Sequence, residues 1–289
     1  MPASDAPAVP TQHRKGRYGG AEGVEIFWQA WLPEGEPKAT VVIAHGVSEH
    51  SSRYRYVVET LVPLGFAVYG LDHRGHGRSG GKRAQVGRMA HLLADLDQLV
   101  DMARKSHPAV KLFLLGHSMG GCIAIAYALV HQEKLDGLAL SAPLAALEAA
   151  PLPLRLIARG LSLVAPDAGI LAIAADGVSR DPAEVADYEQ DPLNHHGKLP
   201  ARTVQELTSV VGTFEAAVGE LTLPLLVMVG TADTLVPPQA AQMVHDRASS
   251  TDKTLHTYDG FYHEIFNEPA GDRDRPLSDL ATWLSEHTA

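Results

Sequence analysis

The sequence predicts an α/β fold in which a mostly parallel central sheet carries helices on both faces and is interrupted by an inserted helical cap. Short apolar segments of strand length alternate with segments of helical periodicity, which is typical of a parallel sheet covered on both sides. Near residue 144 this alternation stops, and helical fragments broken by prolines replace the expected next strand until about residue 220. The chain has 289 residues, which is enough for one large core with such an insertion.

Seven strands are predicted from short apolar runs bounded by polar or turn-forming residues. They are Val24–Trp31, Ala39–Ala44, Phe66–Leu71, Lys111–Leu115, Leu138–Ser141, Leu223–Val229 and Thr254–Tyr258. Apolar residues at helical spacing predict a long amphipathic helix that begins at Met89 and ends near Ala103. Further helices are predicted over Arg53–Leu64, Met119–His131, Pro237–Ala248 and Pro276–His287.

These elements divide the chain into four segments. Residues 1–16 are expected to form a disordered leader, because they are rich in proline and lack the apolar centre of a secretory signal. Residues 17–143 and 220–289 are predicted to form the two parts of the body, and residues 144–219 the cap. The first half of the cap is largely apolar, which fits either a wall facing an apolar ligand or a lipid surface, or simple packing onto the body.

Composition excludes several classes of function. The chain has 24 Lys and Arg against 34 Asp and Glu, and no basic run interleaved with aromatic residues, so a nucleic-acid partner is not expected. Cys122 is the single cysteine, which excludes an internal disulfide and a cysteine-rich metal site. No stretch approaches the roughly 18 apolar residues of a membrane span. We therefore expect a cytoplasmic protein, with peripheral contact to a membrane left open.

A serine nucleophile is predicted at Ser118, in the run L-L-G-H-S-M-G-G that connects a predicted strand to a predicted helix. A G-x-S-x-G pattern in this position forms the tight turn called the nucleophile elbow of α/β-hydrolases. Gly116 and Gly120 flank the serine because the turn brings neighbouring backbone too close for a Cβ atom. The positive end of the following helix points at the turn, where an oxyanion forms during acyl transfer.

The serine needs a base and an orienting carboxylate, which follow it in α/β-hydrolases in the order acid, then histidine. Asp233 follows the predicted strand that ends at Val229, and His263 follows the strand that ends at Tyr258. Asp252, Asp259 and His256 are weaker candidates, because the two aspartates lie in turn-like positions and the histidine lies within a strand.

Two backbone amides are predicted to form the oxyanion hole. Gly46 allows a sharp turn after the strand Ala39–Ala44, so that the amide of Val47 can point inward. The amide of Met119, directly after the serine, is the predicted second donor.

Four sequence blocks resemble the monoacylglycerol lipase family, particularly its bacterial members. They are H-G-V-S-E-H-S-S-R-Y (45–54), L-D-H-R-G-H-G-R-S-G-G (71–81), L-G-H-S-M-G-G (115–121) and the Y-H-E block around His263. The resemblance implies an α/β-hydrolase body with a mobile cap, and hydrolysis of monoacylglycerols to glycerol and fatty acid without a cofactor or a metal. It also implies substrate-binding roles for Glu49, Arg53, His117 and Tyr188 near the glycerol. Transient contact of the cap with a lipid surface is expected separately, from the apolar first half of the cap. At the position three residues after His263 this chain has Phe266, where mammalian members of the family have a second histidine.

The elbow and the triad do not define the alcohol half of the substrate. A lysophospholipase or a general carboxylesterase is therefore an alternative within the enzyme class, and a catalytically silent receptor of the same fold is a remote one. The G-x-G-x-x-G pattern at Gly75, Gly77 and Gly80 is not followed by a helix start, so it does not indicate a dinucleotide site.

Overall fold

One eight-stranded sheet organises this computed structural model, which describes residues 12–146 and 150–288. Its strands are β1 (Gln12–Gly19), β2 (Glu25–Leu32), β3 (Ala39–Ala44), β4 (Phe66–Leu71), β5 (Lys111–His117), β6 (Gly137–Ser141), β9 (Leu225–Gly230) and β10 (Lys253–Tyr258). The spatial order is β1-β2-β4-β3-β5-β6-β9-β10. Strand β2 pairs antiparallel with both of its neighbours, and all other pairs are parallel. The predicted mostly parallel sheet is confirmed.

Helices cover both faces of the sheet. They are α1 (Arg55–Leu61), α2 (Met89–Ser106), α3 (Met119–His131), α4 (Leu152–Val164), α5 (Pro182–Gln190), α6 (Ala201–Ala217), α7 (Gln239–Arg247) and α8 (Asp274–Glu286). Side chains of β3 alternate between the faces: Val42 joins a core with α2, α3 and α7, whereas Val41 and Ile43 join a core with α1 and α8. None of these helices combines the length and the apolar character that crossing a membrane requires.

The insertion between β6 and β9 contains α4, α5, α6 and a small antiparallel pair, β7 (Gly169–Leu171) and β8 (Leu199–Pro200). Residues 147–149 of the expected cap lie outside the described residues. Helix α6 joins the body core through Leu207, Val211 and Phe214. Ion pairs tie the α5 region to the body, and they include Arg55–Glu184 at 2.6 Å and Arg180–Glu268 at 2.9 Å.

The expected disordered leader is corrected for residues 12–16, which belong to strand β1; residues 1–11 lie outside the described residues. All eight residues of β1 pair with β2, from Gln12 opposite Leu32 to Gly19 opposite Glu25. Most of its side chains are exposed, because it is an edge strand. Backbone pairing with β2 holds this strand in place, and its side chains need not be buried. Its sequence therefore does not show the apolar run by which the other strands were recognised.

Helix α3 approaches the sheet very closely at its first turn. A Cβ atom added to Gly120 would lie 1.9 Å from the carbonyl oxygen of Ala44 at the end of β3. One added to Gly116 would lie 2.5 Å from the carbonyl oxygen of Gly120. These contacts involve backbone atoms that cannot rotate away, so the turn between β5 and α3 requires glycine at both positions.

We expect Gly120→Ala to lower the free energy of unfolding by about 3 kcal/mol or more, since the methyl group overlaps fixed backbone. Gly160→Ala is the matched control, because Gly160 lies inside helix α4 and its added Cβ meets no atom within 4 Å. That substitution should raise the free energy of unfolding by about 0.5–1 kcal/mol. Urea denaturation measures both values, and equal effects of the two substitutions would contradict the close approach.

Candidate active site

Ser118 lies on a strained turn at the carboxyl end of β5. Its φ of 52° and ψ of −118° fall in a region that residues with a side chain rarely adopt. Its N–H donates to the carbonyl of Ser141 at 3.1 Å, and its own carbonyl accepts from Cys122 and Leu144. These backbone bonds hold the turn in place, so the geometry is that of the predicted nucleophile elbow.

Asp233 and His263 meet across the loops that follow β9 and β10. Nδ1 of His263 lies 2.6 Å from Oδ2 of Asp233, and both residues are buried. The other oxygen of Asp233 accepts the backbone N–H groups of Leu235 and Val236, which fixes the carboxylate. Burial lowers the pKa of His263, but the charge of Asp233 and its hydrogen bond outweigh burial, so the pKa is raised above the ordinary 6.5.

The structure places His263 next to the elbow. Its ring centroid lies 4.7 Å from that of His117, the residue before Ser118. Among the described residues no hydrogen bond joins the hydroxyl of Ser118 to the imidazole, and catalytic hydrogen bonds are often long before substrate binds. His117 is fixed by a contact of 3.0 Å between Nδ1 and the carbonyl of Ser141, and burial together with the neighbouring His263 lowers its pKa to about 3. His117 is therefore neutral at physiological pH.

The two residues whose amides are predicted to form the oxyanion hole lie on different elements. Met119 is the first residue of α3, and the first N–H groups of a helix have no acceptor within the helix. Val47 follows Gly46, and a Cβ on Gly46 would lie 3.3 Å from the Cβ of Ser118. The loop that carries Val47 is therefore packed directly against the serine.

A small cavity of about 10 Å³ lies beside His117. It is called the polar cavity because most of its lining residues have polar or charged side chains, although the atoms exposed inside it are mainly apolar. Three of the predicted substrate-binding residues, Glu49, Arg53 and His117, line it together with Tyr54, Val57, Glu264, Phe266 and Asn267. The fourth, Tyr188 of α5, is buried with its ring centroid 4.9 Å from the guanidinium carbon of Arg53. The structure thus brings all four predicted residues to one place.

A second cavity, of about 80 Å³, is apolar and extends from Val47 beneath the insertion. Leu235 and Val236, two and three residues after Asp233, belong to its wall. Among the described residues that line it, Thr208 is the one that is not apolar. Those contributed by the insertion include Leu171, Ile173, Leu199, Val204, Leu207 and Val211.

The loop of residues 45–50 after β3, which carries the predicted oxyanion amide of Val47 and is called the oxyanion loop below, packs against buried histidines. Nε2 of His45 accepts the backbone N–H of His73 at 2.8 Å, and the rings of His73 and His76 lie 4.5 and 5.5 Å from that of His45. Burial and mutual repulsion lower the pKa of His73 to about 3, and mainly burial lowers that of His76 to about 4. The described residues contain no group of three or more His, Cys, Asp or Glu side chains that could hold a metal ion.

Comparisons with known proteins agree with this geometry. Residues 35–270 match the family model described as serine aminopeptidase, S33. The chain is 39% identical to a monoacylglycerol lipase of Mycolicibacterium smegmatis over 93% of this chain and 96% of that protein. It is 36% identical to human monoglyceride lipase, over 93% and 89% of the two chains. The solved monoacylglycerol lipase of Paleococcus ferrophilus superposes with a TM-score of 0.80 at 28% identity, over 96% and 99%.

The chain belongs to the monoacylglycerol lipase family. The predicted family and the α/β-hydrolase fold are confirmed, and the chain is a carboxylic ester hydrolase. The roles of individual residues in this monoacylglycerol lipase family member remain predictions, which the geometry above supports.

Sequence reasoning did not identify Glu264 or Tyr54. Nη2 of Arg53 donates to Oε2 of Glu264 at 2.6 Å, and the hydroxyl of Tyr54 donates to Glu49 at 2.8 Å. The sequence does contain one indication of Glu264: this carboxylate stands between His263 and the apolar residues Ile265 and Phe266, in a segment whose other residues are typical of the protein interior. A charged residue in such a segment needs a partner, and the partner here is 211 residues away in sequence.

We expect the kcat/KM of the wild-type enzyme to fall as the pH drops through a value above 6.5, because His263 must be neutral to accept a proton and its pKa is raised.

Asp233→Asn should lower kcat about ten-thousandfold. It should also move the acidic limb of the pH profile, where kcat/KM falls as His263 becomes protonated, to lower pH, because the charge that raises the pKa of His263 is lost. Asp259→Asn is the control, since Asp259 is exposed. An unshifted limb in Asp233→Asn would exclude Asp233 as the partner of the base.

Proposed function

We propose that this chain hydrolyses monoacylglycerols to glycerol and a free fatty acid through an acyl-enzyme on Ser118. The observation that carries the proposal is that two cavities adjoin the elbow and differ in their lining residues: those at Val47 are almost all apolar, and those at His117 are mostly polar or charged. An ester with one long apolar arm and one small hydroxylated arm fits such a pair. Recognition of this kind places apolar walls against the chain and a few polar groups against the alcohol.

His263 takes the proton of Ser118 as the serine attacks the ester carbonyl. Asp233 accepts the Nδ1–H of His263 and stabilises the imidazolium that forms. The amides of Val47 and Met119 donate hydrogen bonds to the tetrahedral oxyanion. The imidazolium then protonates the leaving glycerol, and a water molecule, deprotonated by the same histidine, releases the fatty acid.

The polar cavity has the size of a single hydroxyl group or water molecule. Its charged groups, Glu49, Arg53 and Glu264, can accept and donate hydrogen bonds to the far end of glycerol. Two carboxylates around one guanidinium do not attract an anionic phosphodiester. This charge balance favours a monoacylglycerol over a lysophospholipid.

Replacing the nucleophile tests the chemistry directly. Ser118→Ala should reduce kcat roughly a millionfold and abolish labelling by a fluorophosphonate, which forms its covalent adduct on an activated serine. Retention of a tenth of the activity would contradict the assignment of Ser118. A wild-type protein that forms no adduct would instead indicate a silent receptor.

A panel of purified substrates tests the specificity: monoolein, diolein, lysophosphatidylcholine, 4-nitrophenyl butyrate and leucine 4-nitroanilide. We expect monoolein to have the highest kcat/KM among the natural lipids. Preference for lysophosphatidylcholine would support the lysophospholipase alternative, and comparable turnover of all esters a general carboxylesterase. Turnover of the anilide alone would support the peptidase activity that the family description names.

We further propose that helix α4 contacts the lipid surface from which the substrate enters. Its side chains Leu156, Ile157, Leu163 and Val164 are more than half exposed. Leu154 lies on the other side of the helix, half-buried against the apolar cluster that contains Ala158 and Val204. An exposed apolar helix face next to the apolar cavity is suited to binding at a lipid interface.

We expect Leu156→Glu to reduce hydrolysis of monoolein presented in vesicles about tenfold while leaving 4-nitrophenyl butyrate turnover within about twofold, because burying a charge in lipid is unfavourable. Leu64→Glu is the matched control, an exposed leucine beside helix α1. Leu154→Glu should impair both reactions, since Leu154 packs inward. Equal loss on both substrates for Leu156→Glu would make α4 a packing element only.

A further inference from the structure

Three buried charged side chains connect the loop after β10 with the loop after β3. Nη2 of Arg53 donates to Oε2 of Glu264 at 2.6 Å, and its Nε lies 3.5 Å from Oε2 of Glu49. The side chains of Arg53, Glu49 and Glu264 are 4%, 4% and 7% exposed. Asn267 donates a further hydrogen bond of 2.7 Å to Glu264. Buried ion pairs of this kind hold their partners in one arrangement, because removing one partner leaves an uncompensated charge.

Glu49 connects this cluster to the oxyanion loop. Its Oε1 accepts the backbone N–H of Gly46 and, at 2.8 Å, the hydroxyl of Tyr54. Gly46 precedes Val47, and an added Cβ on Gly46 would lie 2.8 Å from Oε1 of Glu49 and 3.3 Å from the Cβ of Ser118. Because Gly46 is confined between these groups, a displaced Glu49 would shift the Val47 amide.

We propose that Glu264 is a positioning residue for ester hydrolysis: through Arg53 and Glu49 it holds the loop that carries the Val47 amide in register with the loop that carries His263. Glu264 follows His263 directly in the sequence, so the same residue is fixed to the base and, through two side chains, to the oxyanion donor. An amide displaced by 1 Å from the oxyanion costs a large part of its stabilisation.

The electrostatic consequence of this arrangement is separate from its geometry. Burial and the charge of Glu264 raise the pKa of Glu49 to about 7, whereas Arg53 keeps the pKa of the buried Glu264 below its ordinary value. Of the two carboxyl groups, Glu264 is therefore the one that stays ionised more readily, and it lies directly after His263 in the sequence. The groups that face His263 are Asp233, His117, Glu49 and Glu264. The charges of Asp233 and Glu264, and that of Glu49 when it is ionised, raise the pKa of His263.

The test compares Glu264→Gln with Glu184→Gln. Glu184 is also buried and accepts from an arginine, Nη2 of Arg55 at 2.6 Å, but it belongs to α5. Each variant is assayed on monoolein and on 4-nitrophenyl butyrate, which has no glycerol. For Glu264→Gln we expect kcat to fall about tenfold or more on both esters, KM to stay within about twofold, and the acidic limb of kcat/KM to move to lower pH. Glu184→Gln should leave kcat and the limb unchanged.

Two outcomes overturn the positioning role. One is a rise in KM for monoolein with unchanged turnover of the butyrate ester, which would make Glu264 a contact for the glycerol alone. The other is a kcat loss in Glu264→Gln that simply adds to that of Glu49→Gln in the double variant, since residues acting in one chain are expected to be non-additive.

A further variant covers misfolding. Arg53→Lys keeps the charge but cannot bridge both carboxylates, and thermal unfolding reports whether it is folded. We expect kcat on the butyrate ester to fall as in Glu264→Gln, and a folded Arg53→Lys with wild-type kcat would refute the proposal. Because the inference rests on the proposed function, each variant is compared with wild type on the same ester. A wild type inactive on monoolein would contradict the proposed function and leave the comparison on the butyrate ester intact.

Discussion

The close approach of helix α3 to the end of strand β3 is the constraint on which the site depends. The backbone of Gly120 contacts the carbonyl of Ala44, so the first turn of the helix lies against the strand that leads into the oxyanion loop. Met119 begins this helix and Val47 lies three residues past this strand, so the contact brings together the segments that carry the two predicted oxyanion amides and the turn on which Ser118 is strained. Strain of this kind persists only where the surrounding structure fixes it, and here the fixing groups are backbone atoms.

The parallel sheet brings the remaining groups to the same edge. Strands β5, β9 and β10 run in one direction, so the loops that carry Ser118, Asp233 and His263 all leave at their carboxyl ends. Both cavities adjoin these loops: His117 and Glu264 line the polar one, and Leu235 and Val236 line the apolar one. The two cavities differ because different segments line them. The insertion contributes leucine, isoleucine and valine side chains to the apolar cavity, whereas the first turns after β3 contribute charged side chains to the polar one.

The sequence was most informative where one local rule decides the structure. Strands β3 and β4 were predicted at their observed ends, because both are buried on two faces and form uninterrupted apolar runs. The triad positions followed from strand ends and chain order. Strand β1 escaped prediction because its polar side chains carry no periodic signal and its pairing is made by backbone. Glu264 escaped assignment because its partner Arg53 is distant in sequence, and only the folded sheet brings them together.

The insertion is hydrogen-bonded to the site through the segments on both sides of α5. Before α5, the carbonyls of Gly177 and Val178 accept the N–H groups of His263 and Glu264 at 3.4 and 2.7 Å. His50 contacts Asp191 at 2.8 Å, and the carbonyl of Ser48 accepts the N–H of His195 at 2.9 Å, so the segment after α5 is bonded to the oxyanion loop itself. Helix α4 packs instead on α6 and presents its other face outward. Among the described residues no hydrogen bond joins α4 to the loop that carries Val47, whereas the segment after α5 is bonded to that loop. Glu184 of α5 also pairs with Arg55 at the start of helix α1, and Arg180 pairs with Glu268 of the body. Loss of the Glu184 pair alone leaves the contacts of His50 and Ser48 with the segment after α5 in place.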